Sequence, residues 1–147
     1  MSRALRLLVV DDEEVIRDVL STLLERQGYD VTVAADAAEA LAQFDADPFD
    51  IVLLDLMLPD RPGLEVLRAI RSRDPDAVVV IVTAYSSIEG AIDAMREGAF
   101  HYIPKPFQNE EVLLTVEKGA EKRQLTDENR RLRQELSKRY GLGRIVG

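Results

Sequence analysis

Unbroken apolar runs alternate along this chain with stretches whose apolar residues recur every three or four positions. Leu7-Leu8-Val9-Val10, Ile51-Val52-Leu53-Leu54 and Val78-Val79-Val80-Ile81-Val82 contain no polar interruption, as strands buried on both faces require. With two shorter runs they predict strands at about Arg6–Val10, Asp30–Ala34, Asp50–Asp55, Ala77–Thr83 and His101–Pro104. Between them the period becomes helical. The first helix, about Glu14–Gln27, carries Val15, Val19, Leu20, Leu23 and Leu24 on one side and stops at Gly28. The second starts at Asp36, a capping carboxylate with Glu39 three residues on to complete a capping box. The third follows Gly63 with Leu64, Leu67 and Ile70. The fourth begins near Ser86 and carries Ile88, Ile92 and Met95 before Gly98, and the fifth starts near Asn109. Five βα units with short connections predict an α/β fold, a doubly wound parallel sheet with helices on both faces.

The strand ends carry the chemistry. The first run breaks into Asp11-Asp12, the second into Asp55, the third ends on Thr83, and Tyr102-Ile103 leads into Pro104-Lys105-Pro106. In open parallel sheets, ligands bind beyond the carboxyl ends of the strands, where the winding reverses. For strand order 2-1-3-4-5 that point lies between the first and third strands, so Asp11, Asp12 and Asp55 meet there. Thr83 then falls beside Asp55, and Lys105 reaches across. Three carboxylates this close repel one another, which a divalent cation relieves. An all-oxygen donor set without Cys, and with His101 as the single histidine, selects Mg²⁺ or a similar hard ion. A nucleophilic carboxylate, a metal, a cation and a hydroxyl suit phosphoryl transfer onto an aspartate. Glu13 and Glu14 read as first-turn residues favouring the positive end of a helix dipole. His101 reads as an edge residue without chemistry.

Charge narrows the partners. The net charge is −8. Residues 1–116 hold 10 Lys/Arg against 22 Asp/Glu, net −12, whereas residues 117–140 hold 8 against 5, net +3. So acidic a body repels phosphate backbones, and direct nucleic-acid binding by it is not expected. No apolar stretch approaches the ~20 residues of a membrane span, no signal peptide is expected before the first strand, and the absence of cysteine fits a reducing interior. A cytoplasmic location is expected.

The fifth helix meets no Gly or Pro after Gly119 until Gly141. Within it Leu125, Asn129, Leu132 and Leu136 fall at spacings of 4, 3 and 4, an a/d seam with Asn129 at an a position. Two heptads leave a paired helix and a solvated tail helix both open. The expected division is a body at 1–122, a linker helix and short coiled coil at 123–140, and the start of a following, truncated domain at 141–147.

Residues 5–122 resemble the receiver domain of two-component response regulators. The resemblance rests on Asp11-Asp12, Asp55, Thr83-Ala84, Lys105-Pro106, Tyr102 and the loop Leu58-Pro59-Asp60-Arg61-Pro62-Gly63. It implies a flavodoxin-like sheet and an Asp55 that accepts a phosphoryl group from a sensor histidine kinase. Asp12, Asp55 and the Met57 carbonyl would ligate Mg²⁺, with Asp11 acting through water. Thr83 and Tyr102 would be the switch residues, and the Lys105-Pro106 bond would be cis. Met57 and Tyr85, two residues after Asp55 and Thr83, imply slow autodephosphorylation and no other catalysis. The helix with Glu128-Asn129-Arg130-Arg131-Leu132, followed by Ile145-Val146-Gly147, is similar to nitrogen-regulatory (NtrC-type) activators of sigma-54 polymerase. That likeness implies a homodimer through the linker helix and the face formed by the fourth helix, fifth strand and fifth helix. An aspartyl-phosphate hydrolase of the haloacid dehalogenase type is the enzyme alternative, disfavoured because Met57 stands where it needs a second acid. A dimerisation module with a vestigial pocket is the third.

Overall fold

The computed structural model describes residues 4–84 and 87–140. Its elements are β1 (Arg6–Val10), α1 (Glu14–Glu25), β2 (Asp30–Ala34), α2 (Ala37–Ala46), β3 (Ile51–Leu54), α3 (Gly63–Arg73), β4 (Val78–Thr83), α4 (Ile88–Arg96), β5 (His101–Pro104) and α5 (Asn109–Tyr140). The strands form one parallel sheet in the order β2-β1-β3-β4-β5. Alternate residues of the central strands feed two cores. Leu8, Val10, Val52, Leu54, Val79 and Ile81 pack under α2, α3 and α4. Leu7, Val9, Ile51, Leu53, Val80 and Val82 pack under α1 and α5. That two-sided burial is why the strands show no polar alternation.

Helix ends follow local chemistry. At α2, Asp36 Oδ1 accepts from the Glu39 amide at 2.8 Å, and Glu39 Oε1 accepts from the Ala35 amide at 2.6 Å, a capping box displaced by one residue. Gly28 and Gly98 adopt φ of 93° and 101°, terminating α1 and α4 where an L-residue would be strained. α1 ends at Glu25, two residues before the expected Gln27. The α4 cap is Ser87, whose hydroxyl accepts from the Gly90 amide; Ser86, the expected start, lies outside the described residues.

Two apolar stripes differ from the expected packing. On α1, Leu20 and Leu24 are buried, but Val15 is 70% and Val19 40% exposed. On α4, Gly90 and Ala94 meet the sheet, and Ile88, Ile92 and Met95 face outward at 78%, 44% and 47%. Small residues let α4 approach the sheet closely, and its bulky stripe is left on the solvent side. α5 runs as one helix of 32 residues through the expected 122/123 boundary. No helix among the described residues is long and apolar enough to cross a membrane.

Candidate functional site

Ladder hydrogen bonds continue past the strand ends and so fix the backbone of each candidate residue. The Asp11 amide donates to the Ala34 carbonyl at 3.1 Å, the Asp55 amide to Val10 at 3.0 Å, and the Lys105 amide to Thr83 at 2.9 Å. The ends of β1 and β3 are thereby set side by side at the winding reversal, and Lys105 is fixed at the end of β5, beyond β4. The Lys105-Pro106 bond is cis, as the resemblance implied.

The Asp55 carboxylate, 4% exposed, is held from both oxygens. Oδ1 accepts from the buried Thr83 hydroxyl at 2.6 Å and from the Met57 amide at 2.9 Å. Oδ2 accepts from the Lys105 ammonium at 2.9 Å. Lys105 also donates to Asp11 Oδ2 at 2.6 Å and to Glu13 Oε1 at 3.2 Å. Asp11 Oδ1 accepts from the Glu13 amide, and the Arg17 guanidinium donates to the Asp11 carbonyl. Asp12 is exposed. Tyr102 is half-buried and packs against the core beneath α2, α3 and α4. Tyr85 lies outside the described residues.

Burial raises the Asp11 pKa above the ordinary carboxylate value, in spite of the hydrogen bond from Lys105. Burial alone would lower that of Lys105, but its bonds to Asp11 and Asp55 outweigh it and hold the ammonium charged. One cation thus serves two buried carboxylates.

Glu13 corrects the reading of the sequence. It is the N-cap of α1 and not a first-turn residue, and although its side chain is exposed it adds its carboxylate to the cluster. The adjacent run of four acids in sequence hid which two reach Lys105. Oxygens of Asp11, Asp12, Glu13 and Asp55 lie within 4.8 Å of one another. This hard, all-oxygen donor set fits a Mg²⁺-like ion.

The loop after Asp55 is pinned at two points. Asp60 accepts from the Ala37 and Ala38 amides at 2.9 Å each, filling the donors at the start of α2 that its own caps leave open. The Ala37 bond leads in holding the Asp60 pKa below its usual value. At the other end, a Cβ on Gly63 would sit 2.4 Å from the Asp55 carbonyl oxygen and 2.6 Å from Leu56 Cα. Both are backbone, so Gly63→Ala must displace the acceptor loop. It is expected to cost about 1–3 kcal/mol and to weaken magnesium binding, checked by urea unfolding and magnesium titration; unchanged values in both would show that the loop can yield freely.

A family model described as the response regulator receiver domain matches residues 7–117. The chain belongs to that family. This receiver is 37% identical over 142 residues to the regulatory protein AtoC of Escherichia coli K12, covering 96% of this chain and 31% of that protein. It is also 37% identical to the C4-dicarboxylate transport transcriptional regulatory protein DctD of Rhizobium meliloti, covering 90% of this chain and 29% of DctD. Among solved structures, NtrX from Brucella abortus aligns with a TM-score of 0.81 at 36% identity, over 88% of this chain and 30% of that one. A CheY-like receiver protein from Methanospirillum hungatei aligns at 0.78 and 35% identity, over 84% and 98%. The receiver therefore spans about a third of the length of the regulators AtoC and DctD.

Proposed function

We propose that this receiver is a phosphorylation switch, with Asp55 as acceptor, at the input of a transcription activator of the sigma-54 type. The observation that carries it is the engagement of both Asp55 oxygens by a hydroxyl, an amide and an ammonium. Those groups orient one carboxylate and stand where negative charge arrives. An Asp55 oxygen attacks the phosphorus of a kinase phosphohistidine, the P–N bond breaks, and the leaving imidazole takes the electron pair and a proton from solvent. The product is an acyl phosphate on Asp55. Asp11, Asp12, Asp55 and the Met57 carbonyl would hold Mg²⁺, which supplies charge neutralisation for the incoming phosphoryl oxygens. Lys105 adds fixed positive charge, and Thr83 can turn from Asp55 to donate to a phosphoryl oxygen. Met57 offers no group to position a water, consistent with slow loss of the phosphoryl group.

The output runs through the C-terminal helix. Phosphorylation adds roughly two negative charges beside Thr83. Drawing Thr83 and Tyr102 inward would repack the face of α4, β5 and α5, where Ile88, Ile92 and Met95 are exposed. Residues 123–140, continuous with α5, serve as linker and carry the change to a homodimer contact, in the sense of a two-state element. The sigma-54 assignment is supported by Glu128-Asn129-Arg130-Arg131-Leu132 and the likeness to DctD. Sedimentation with and without beryllofluoride, a phosphoryl mimic, tests the switch. A change in association that requires Mg²⁺ is expected; identical profiles in all conditions would refute dimer control.

A further inference from the structure

The basic stretch after residue 116 is laid against an acidic end of the sheet. Asp50 precedes β3, and Asp74 and Asp76 follow α3, all at the end of the sheet opposite Asp55. Arg123 of α5 reaches between them. Its Nε is 3.3 Å from Asp50 Oδ1, its Nη1 is 3.2 Å from Asp74 Oδ2, and Asp127, one turn on, lies 3.7 Å from Nε. The Arg123 and Asp50 side chains are only 11% and 4% exposed. Asp50 is itself oriented by the Arg6 amide, which donates to its other oxygen at 2.9 Å. Two turns beyond, Arg130 pairs with Asp76. Past Arg130 every described side chain is exposed.

Helical geometry gives these contacts a consequence. At about 3.6 residues per turn, positions 123, 127 and 130 share one stripe, and 125, 129, 132 and 136 share the opposite one. The ionic stripe faces the chain's own body, so the seam of Leu125, Leu132 and Leu136, each 46% exposed or more, faces away. In proteins most helical stability comes from packing one face against something, not from intrinsic propensity. We propose that Arg123 is the centre of an ionic clasp that fixes the linker helix to the foot of the receiver, turning its leucine seam outward to a second, parallel copy of this chain. The inference rests on the reading of α5 as the output arm.

Charge around the seam selects the second copy and its direction. With Leu125 and Leu132 at d and Asn129 and Leu136 at a, Glu128 occupies g and Arg133 e. In a parallel pair each g residue meets the e residue five positions on in its partner, so Glu128 faces the opposite charge of Arg133 twice over. An antiparallel pair sets g residues against g and e residues against e; with the seam layers matched, Glu128 would fall near the acid Glu135 and Arg133 near the uncharged Thr126, so neither gains an opposite charge. Asn129 at a favours the in-register arrangement. The two bodies then lie outside the paired helices, each clasped to its own.

Removing Arg123 alone would take this ion pair from the buried Asp50 carboxylate, so the double variant Asp50→Asn/Arg123→Leu is the probe. Phosphodonor labelling of Asp55 confirms that it is folded, and loss of labelling in the unmodified chain would count against the proposed function, which the clasp does not need. Amide exchange across 123–130 is expected to be about tenfold faster or more in the double variant; unchanged exchange overturns the clasp. Leu132→Asp is expected to dissociate the dimer in sedimentation while exchange at 123–127 stays slow; persistent association overturns the outward seam. Glu128→Arg should weaken association and Glu128→Arg/Arg133→Glu restore it; failure of the swap to rescue overturns the parallel arrangement.

Discussion

Lys105→Met is expected to destabilise the metal-free receiver by about 3–5 kcal/mol, the range for a buried ion pair that loses one partner. The side chain is 9% exposed and its ammonium lies between Asp11, 2% exposed, and Asp55, 4% exposed. Methionine fills much the same volume, so the loss is electrostatic and not a cavity. Its pH dependence has a definite sign. Burial already raises the Asp11 pKa in the folded state, and loss of Lys105 raises it further. Stability from a group with a raised folded pKa is complete below the unfolded value and is lost as pH rises through the folded one. The variant should therefore approach the parent in mild acid and fall furthest behind near neutrality. Magnesium should recover part of the loss near neutrality by binding the native state. Urea unfolding at two pH values, with and without Mg²⁺, checks this. A loss that is equal at both pH values and blind to magnesium would mean that Lys105 acts by packing.

Strand runs and their punctuation were legible because burial on both faces removes polar residues from the strands, and functional acids then stand out at the ends. Asp11, Asp12, Asp55, Thr83 and Lys105 were all singled out on that ground, and the sheet brings them to one crevice. Glu13 was not, because a run of acids before a helix has an adequate local explanation in the dipole. Its approach to Lys105 depends on β5, 92 residues away.

Helical stripes were less readable. A stripe such as Ile88, Ile92 and Met95 records that a face is apolar, without saying what it meets. The close approach of α4 to the sheet is made by Gly90 and Ala94, residues that carry almost no periodic signal. The Arg123 clasp had none: an arginine in a charged helix reads as solvated, and only the tertiary fold sets Asp50 and Asp74 beside it. Pairing of the leucine seam stayed open for a related reason, since two heptads carry little sequence information.

Asp55→Asn is expected to abolish phosphoryl acceptance. The amide oxygen can still accept from Thr83 and Met57, so the loop around it is retained. The amide is not a nucleophile and places no charge against Lys105. Folding should survive, because the change relieves the repulsion between two buried carboxylates that share one ammonium. The decisive measurement is intact-mass labelling of parent and Asp55→Asn chains with a small-molecule phosphodonor, with Mg²⁺ present or chelated. The parent should gain one phosphoryl group only with Mg²⁺, and the folded variant none; a labelled variant, or a parent that stays unlabelled with Mg²⁺, would contradict Asp55 as the acceptor.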